Sequence, residues 1–124
     1  MRILKTQHFA KWAKKEELSD EILSYAIQEM EKGLTDADLG GNLYKKRIPI
    51  KGQGKRGGAR SIVVYKAHDK AFFIFGYAKN KKADISDEEL KLARMLSKEM
   101  LSYSESQLIH LIQQGKLIEV NNHE

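Results

Sequence analysis

Leu43-Tyr44-Lys45-Lys46-Arg47-Ile48-Pro49-Ile50 opens the stretch on which the fold turns. A glycine-rich basic segment follows, then Arg60-Ser61-Ile62-Val63-Val64-Tyr65-Lys66, then Ala71-Phe72-Phe73-Ile74-Phe75-Gly76-Tyr77-Ala78. Each run is short, rich in β-branched or aromatic residues, and bounded by glycine, proline or charged turns, which is the pattern of strands. Pro49 has no N–H to donate, so the first run suits an edge strand or a strand exit. The last run, apolar at nearly every residue, belongs in the centre of a sheet with both faces covered. Three such runs joined by short turns predict an antiparallel meander.

Outward from this centre the apolar period becomes helical. Upstream, residues 2–6 suit a short strand, and residues 8–15 suit a helix with Phe9 and Trp12 on one face. Ser19 can cap a second helix carrying Ile22, Leu23, Ala26, Ile27 and Met30, with Gly33 as its stop. Residues 36–42, with Gly40-Gly41, read as a loop. Downstream, Ser86-Asp87-Glu88-Glu89 and Ser104-Glu105-Ser106-Gln107 are capping-box patterns. The first opens a helix with Leu92, Ala93, Leu96, Met100 and Tyr103; the second opens one with Leu108, Ile109, Leu111 and Ile112, ended by Gly115. Residues 116–120 read as an extended tail. The fold class is α+β: an N-terminal helix pair, an antiparallel β-sheet meander and C-terminal helices, in a single domain over residues 1–124. Phe72, Ile74, Val63, Leu92 and Leu96 are expected in its core.

The chain of 124 residues is 41% hydrophobic and 31% charged, the balance of a globular domain. It has no cysteine, which excludes disulfides, thiolate metal sites and thiol nucleophiles. No apolar run approaches the roughly 20 residues of a membrane span. Met1-Arg2-Ile3-Leu4-Lys5 lacks a signal-peptide pattern, so a cytoplasmic location is expected.

Charge is distributed unevenly. Residues 1–43 hold six Lys/Arg against eight Asp/Glu, residues 44–82 hold twelve against the single acid Asp69, and residues 83–124 hold four against eight. A basic centre between acidic flanks favours a polyanion, most commonly nucleic acid, although a solvated lysine-rich face produces the same pattern.

His8, His68, His110 and His123 have no mutual metal-ligand spacing, and Asp36 and Asp38 lack the rest of a calcium loop, so no metal site or cofactor is predicted. Residues 52–58, Gly-Gln-Gly-Lys-Arg-Gly-Gly, superficially suggest a phosphate loop. A nucleotide-binding loop of that type ends Gly-Lys-Ser/Thr and opens a helix, whereas here Arg56 follows Lys55 and the next element is a strand. The segment is either a flexible hairpin connection or a mobile basic loop on a nucleic-acid backbone. Along the first strand, Lys45 and Arg47 share one face and Lys46 and Ile48 the other. If the strands are neighbours, Lys45, Arg47, Arg60 and Lys79 converge on one sheet face. Clustered cations of that kind are costly unless an anion joins them.

The order of motifs over about residues 43–85 resembles the RelE/HigB branch of bacterial type II toxin–antitoxin toxins. The resemblance rests on Leu-Tyr-Lys-Lys-Arg-Ile, on Gly-Gly-Ala-Arg at a strand start, and on Phe-Ile-Phe-Gly-Tyr-Ala-Lys-Asn at a strand exit. It implies the RelE-like microbial RNase fold and a ribosome-dependent endoribonuclease that cuts mRNA without metal, using the ribose 2′-hydroxyl as nucleophile. It implies Lys45 as base, Arg60 and Arg47 on the phosphate, and Lys79 at the phosphate or leaving group. Lys46, Lys51, Lys55, Arg56, Lys81 and Lys82 would then hold RNA. Arg60 is expected to be open to phosphate rather than locked in a structural ion pair. RelE carries an arginine where this chain has Asn80 and a base-stacking tyrosine roughly where it has Ser86, with Tyr65 or Tyr77 as substitutes. The implied partners are a cognate antitoxin, the ribosome and mRNA, with no membrane. Two other classes share these features: a ParE-type toxin that acts on gyrase, and a nucleic-acid-binding module without catalysis.

Overall fold

Phe72, Phe73 and Ile74 are all fully buried, and they sit at the middle of a sheet covered on both sides. The computed structural model describes residues 1–50 and 54–121, with side chains for 1–50 and 58–121. In chain order the elements are β1 (Arg2–Thr6), α1 (Gln7–Lys15), α2 (Asp20–Glu31), β2 (Ala37–Gly40), β3 (Leu43–Ile50), β4 (Gly54–Lys66), β5 (Lys70–Ala78), α3 (Asp87–Leu101), α4 (Glu105–Gln113) and β6 (Leu117–Glu119). Among the described residues the strands form one sheet in the order β2-β3-β4-β5-β1-β6. The α+β expectation holds. The meander from β2 to β5 is extended by β1, parallel to β5, and by β6, antiparallel to β1.

Each face of the sheet carries its own helix pair. Phe9 and Ala13 of α1 and Leu23, Ala26, Ile27 and Met30 of α2 pack on Ile48, Val63 and Phe73. Ala93 and Met100 of α3 and Leu108 of α4 pack on Leu43, Ile62, Val64, Phe72 and Ile74. Both predicted capping boxes form, with the Ser86 and Ser104 hydroxyls accepting from the N–H groups of Glu89 and Gln107. Among the described residues no helix is long and apolar enough to cross a membrane.

Three expectations are corrected. Residues 36–42 are not all loop: Ala37–Gly40 form β2, recruited by pairing with β3 despite a weak strand composition. The turn proper is Gly40-Gly41-Asn42, all at positive φ. The glycine-rich segment is strand from Gly54 onward, while residues 52 and 53 lie outside the described residues. Leu92 is 46% exposed rather than buried. The contact line of α3 runs through the small residues Ala93 and Ser97, and Ser97 Oγ donates to the Gly41 carbonyl at 2.9 Å. This orientation leaves Leu96 half-buried and turns Leu92 outward.

Candidate active site

The register of the sheet builds the site. Arg47 pairs with Arg60 across β3 and β4, and Arg60 pairs with Tyr77 across β4 and β5, so these three side chains form one row on one face. Lys45, two residues before Arg47, shares that face, and its partner in β4 is Ile62. Strict alternation from Phe72 would send Tyr77 to the opposite face. Instead β5 carries a bulge: Ile62 faces Phe75 while Val63 faces Phe73, so Ile74 is an extra residue. Ile74 and Phe75 both lean on the α3/α4 side, and every later side chain changes face.

Lys45, Arg47, Arg60 and Lys79 all line one open cavity of about 630 Å³ at the end of the sheet where β2 has not yet begun. Lys46, paired with Glu29 of α2, and Ile48, in the α1/α2 core, take the other face, as alternation requires, although Lys46 also reaches this cavity. Lys79 is exposed, and its backbone N–H donates to the Gly58 carbonyl at 3.1 Å, which prolongs the β4–β5 pairing.

Two carboxylates within the cation cluster were not anticipated. Asp36 Oδ2 lies 3.0 Å from Arg47 Nε and 3.0 Å from Arg60 Nε. Asp84 Oδ1 accepts from Lys45 Nζ at 2.8 Å, from the Ile85 N–H at 2.8 Å and from the Tyr77 hydroxyl at 3.1 Å. The Lys45 hydrogen bond, with those from the Ile85 N–H and Tyr77, holds the Asp84 carboxyl below the usual range. Burial, and then the contact with Asp84, pushes the Tyr77 hydroxyl well above its ordinary value and keeps it a donor. The signal available in the sequence was weak: Asp36 and Asp84 merely close the acidic flanks on either side of the basic segment.

Several site expectations change. Arg60 is 5% exposed and tied to Asp36, so it is not an open phosphate ligand in this state. Lys46 is 4% exposed, and its Nζ meets Glu29 Oε1 at 3.1 Å, a buried ion pair at the wall of the same cavity. Lys82 is paired with Glu89, while Lys81 is exposed. Lys51 and the side chains of Lys55 and Arg56 lie outside the described residues. Both candidate tyrosines are largely buried. Tyr65 is buried beside Tyr44 in the α1/α2 core, and Tyr77 is buried with its hydroxyl on Asp84. Ser86 is committed to capping α3, a task its hydroxyl performs and a tyrosine ring could not. Among the described residues no group of three His, Asp or Glu side chains converges as metal ligands.

The sequence family described as RelE toxin of RelE / RelB toxin-antitoxin system matches residues 1–120. The chain belongs to the RelE toxin family. It is the toxin half of a toxin–antitoxin pair, and its partner is an antitoxin. No curated protein matches the chain. For a RelE-family toxin, a basic cavity built on the central strands is the chemically distinctive feature of this surface. The cavity is far less positive than the segment that builds it, because Glu29, Asp36 and Asp84 from the two acidic flanks also line it.

Proposed function

We propose that this toxin is a ribosome-dependent endoribonuclease that cleaves mRNA without metal, by attack of a ribose 2′-hydroxyl on the adjacent phosphate. The observation that carries the reading is the convergence of Lys45, Arg47, Arg60 and Lys79 on one open cavity wide enough for a nucleotide.

The reaction asks for three things: removal of the 2′-proton, stabilisation of the extra phosphoryl charge, and a proton for the departing 5′-oxygen. The new bond joins the 2′-oxygen to phosphorus and the P–O5′ bond breaks, leaving a 2′,3′-cyclic phosphate and a 5′-hydroxyl. Arg47 and Arg60 suit the phosphoryl oxygens, because neighbouring guanidinium forks offer several donors in fixed directions. Lys45 is the candidate for the base role. Asp84 holds its Nζ at 2.8 Å and so directs it into the cavity, with Tyr77 bracing Asp84 from the other side. Lys79, exposed at the rim, suits protonation of the 5′-oxygen. Lys81 remains an exposed contact for the RNA backbone.

The deciding experiment is induction of the toxin without antitoxin, with mRNA ends mapped while translation is active and while it is blocked, and gyrase supercoiling assayed in parallel. Translation-dependent breaks bearing 5′-hydroxyl ends are expected, with gyrase unaffected. Intact mRNA with inhibited gyrase would overturn the reading in favour of a ParE-type toxin. Salt-sensitive RNA binding without cleavage would overturn it in favour of a binding module.

A further inference from the structure

Two arginines on adjacent strands share a single oxygen, Asp36 Oδ2: the Arg47 Nε–H donates to it at 3.0 Å, and Arg60 Nε forms an ion pair with it at the same distance. Side-by-side arginines in a sheet repel, and a nearly buried guanidinium without a counter-ion is costly. The Asp36 carboxylate solves both problems in the free protein. It carries one negative charge, as a phosphodiester does. Two guanidinium groups placed against one carboxylate oxygen serve a phosphoryl oxygen equally well.

Asp36 is also built to leave. It lies on the connection between α2 and β2, one residue before the strand begins. Its backbone is open to solvent although its side chain is only 18% exposed. Its N–H donates to the Lys45 carbonyl at 2.9 Å, so rotation about the side-chain bonds withdraws the carboxylate without disturbing the chain. The cavity's other acids are differently engaged. Asp84 Oδ1 accepts from three donors, and Glu29 faces the buried Lys46.

We propose that Asp36 is a displaceable counter-ion in a phosphate seat. It holds Arg47 and Arg60 in register while the cavity is empty, and it gives way to a phosphate group that takes over the Arg47 Nε–H donor and the ion pair with Arg60. The inference deepens the ribonuclease reading and rests on it for the molecule that carries the phosphate. Exchange leaves the local charge unchanged, so Arg60 stays compensated throughout. It also makes Asp36 a direct competitor of the substrate.

The test compares the full chain with Asp36→Asn and with Glu31→Gln, an equal charge change at an exposed residue of α2 outside the cavity. The probes are inorganic phosphate and a short 2′-O-methyl RNA, which lacks the nucleophile and stays intact. Binding is read from the arginine Nε–H resonances. Asp36→Asn should bind both probes about tenfold more tightly than wild type, consistent with loss of one charged competitor, and Glu31→Gln less than about threefold. The Arg47 and Arg60 signals should shift together. If Asp36→Asn folds poorly, phosphate should raise its thermal midpoint more than it raises those of wild type and Glu31→Gln, because the anion refills the seat. Equal affinities for Asp36→Asn and Glu31→Gln, with no selective rescue by phosphate, overturn the exchange and make Asp36 a fixed clamp. If RNA binds through Arg47 without any gain in Asp36→Asn, the exchange falls and the ribonuclease reading survives. If phosphate gains at Asp36→Asn while the RNA binds none of the proteins, the seat stands and the ribonuclease reading falls.

Discussion

Tyr77 stands directly across from Arg60, on the cation side of the sheet, because Ile74 is an extra residue in β5. The bulge converts what alternation would make a core tyrosine of the α1/α2 face into a wall of the cavity, with its hydroxyl 3.1 Å from Asp84. Tyr77→Phe removes that donor and leaves the Lys45 and Ile85 contacts in place. Cleavage should fall by about tenfold, with a loss of stability near 1 kcal/mol, the usual worth of one hydrogen bond. Absorbance at 295 nm should show that the variant has lost the tyrosine that ionises last, because burial and Asp84 raise Tyr77 most strongly. An unchanged alkaline titration would contradict the placement.

Arg47 and Arg60 should separate function from stability. Arg47 is 47% exposed at the side chain, so Arg47→Ala should reduce cleavage by about 100-fold or more, as loss of a transition-state donor does, while shifting the thermal midpoint little. Arg60→Ala should reduce cleavage and also destabilise by about 3 kcal/mol, because it empties a buried ion-paired position. Denaturant melts of both variants check the contrast. Equal stabilities would show that the Arg60–Asp36 pair does not hold in solution.

Lys46 should behave as a core residue. Lys46→Ala removes a buried cation from beside Glu29 and is expected to cost about 3 kcal/mol, whereas toxicity measured per folded molecule should persist. The double variant Lys46→Met with Glu29→Leu should recover most of the loss, since apolar packing commonly replaces a buried pair. A stable Lys46→Ala protein that no longer binds RNA would return Lys46 to the RNA surface.

Acid should weaken the fold partly through Asp84. Its carboxyl titrates below the ordinary value of 3.8 because Lys45, the Ile85 N–H and Tyr77 hydrogen-bond the charged form. The stabilisation is therefore complete above that value and is lost as pH falls through the lowered one. Glu89, lowered by Lys82 and by the Ser86 N–H, acts in the same direction. Melts from pH 6 down to pH 2 should show Asp84→Asn losing less stability than wild type below about pH 4. The difference should be small, because the Asp84 side chain is 59% exposed and solvent screens its contacts.

Much of the fold was legible because its signals are local. The serines that cap α2, α3 and α4, the apolar periods of the helices, and the bounds of β3 can each be read within a few residues. So can the sharing of one face by Lys45 and Arg47, since side-chain direction in a strand has period two. The local pattern failed where pairing overrode it. β2 exists because β3 offers it an open edge, and Leu92 is turned out because Ala93 and Ser97 let α3 sit close to the sheet.

What the sequence alone determined is the architecture, the central position of the apolar strand β5, and the identity of the cations available to a site. What only the tertiary structure decided is which of those cations remain free. Asp36 and Asp84 lie in different acidic flanks of the chain, yet folding brings them to Arg47, Arg60 and Lys45. Glu29 likewise claims Lys46 from across a helix–sheet interface. Counter-ions are chosen by distance in space. Charge falls off with separation through the medium and takes no account of position in the chain, so a strongly basic segment became a cavity with three acids among its cations only once the chain had closed around it.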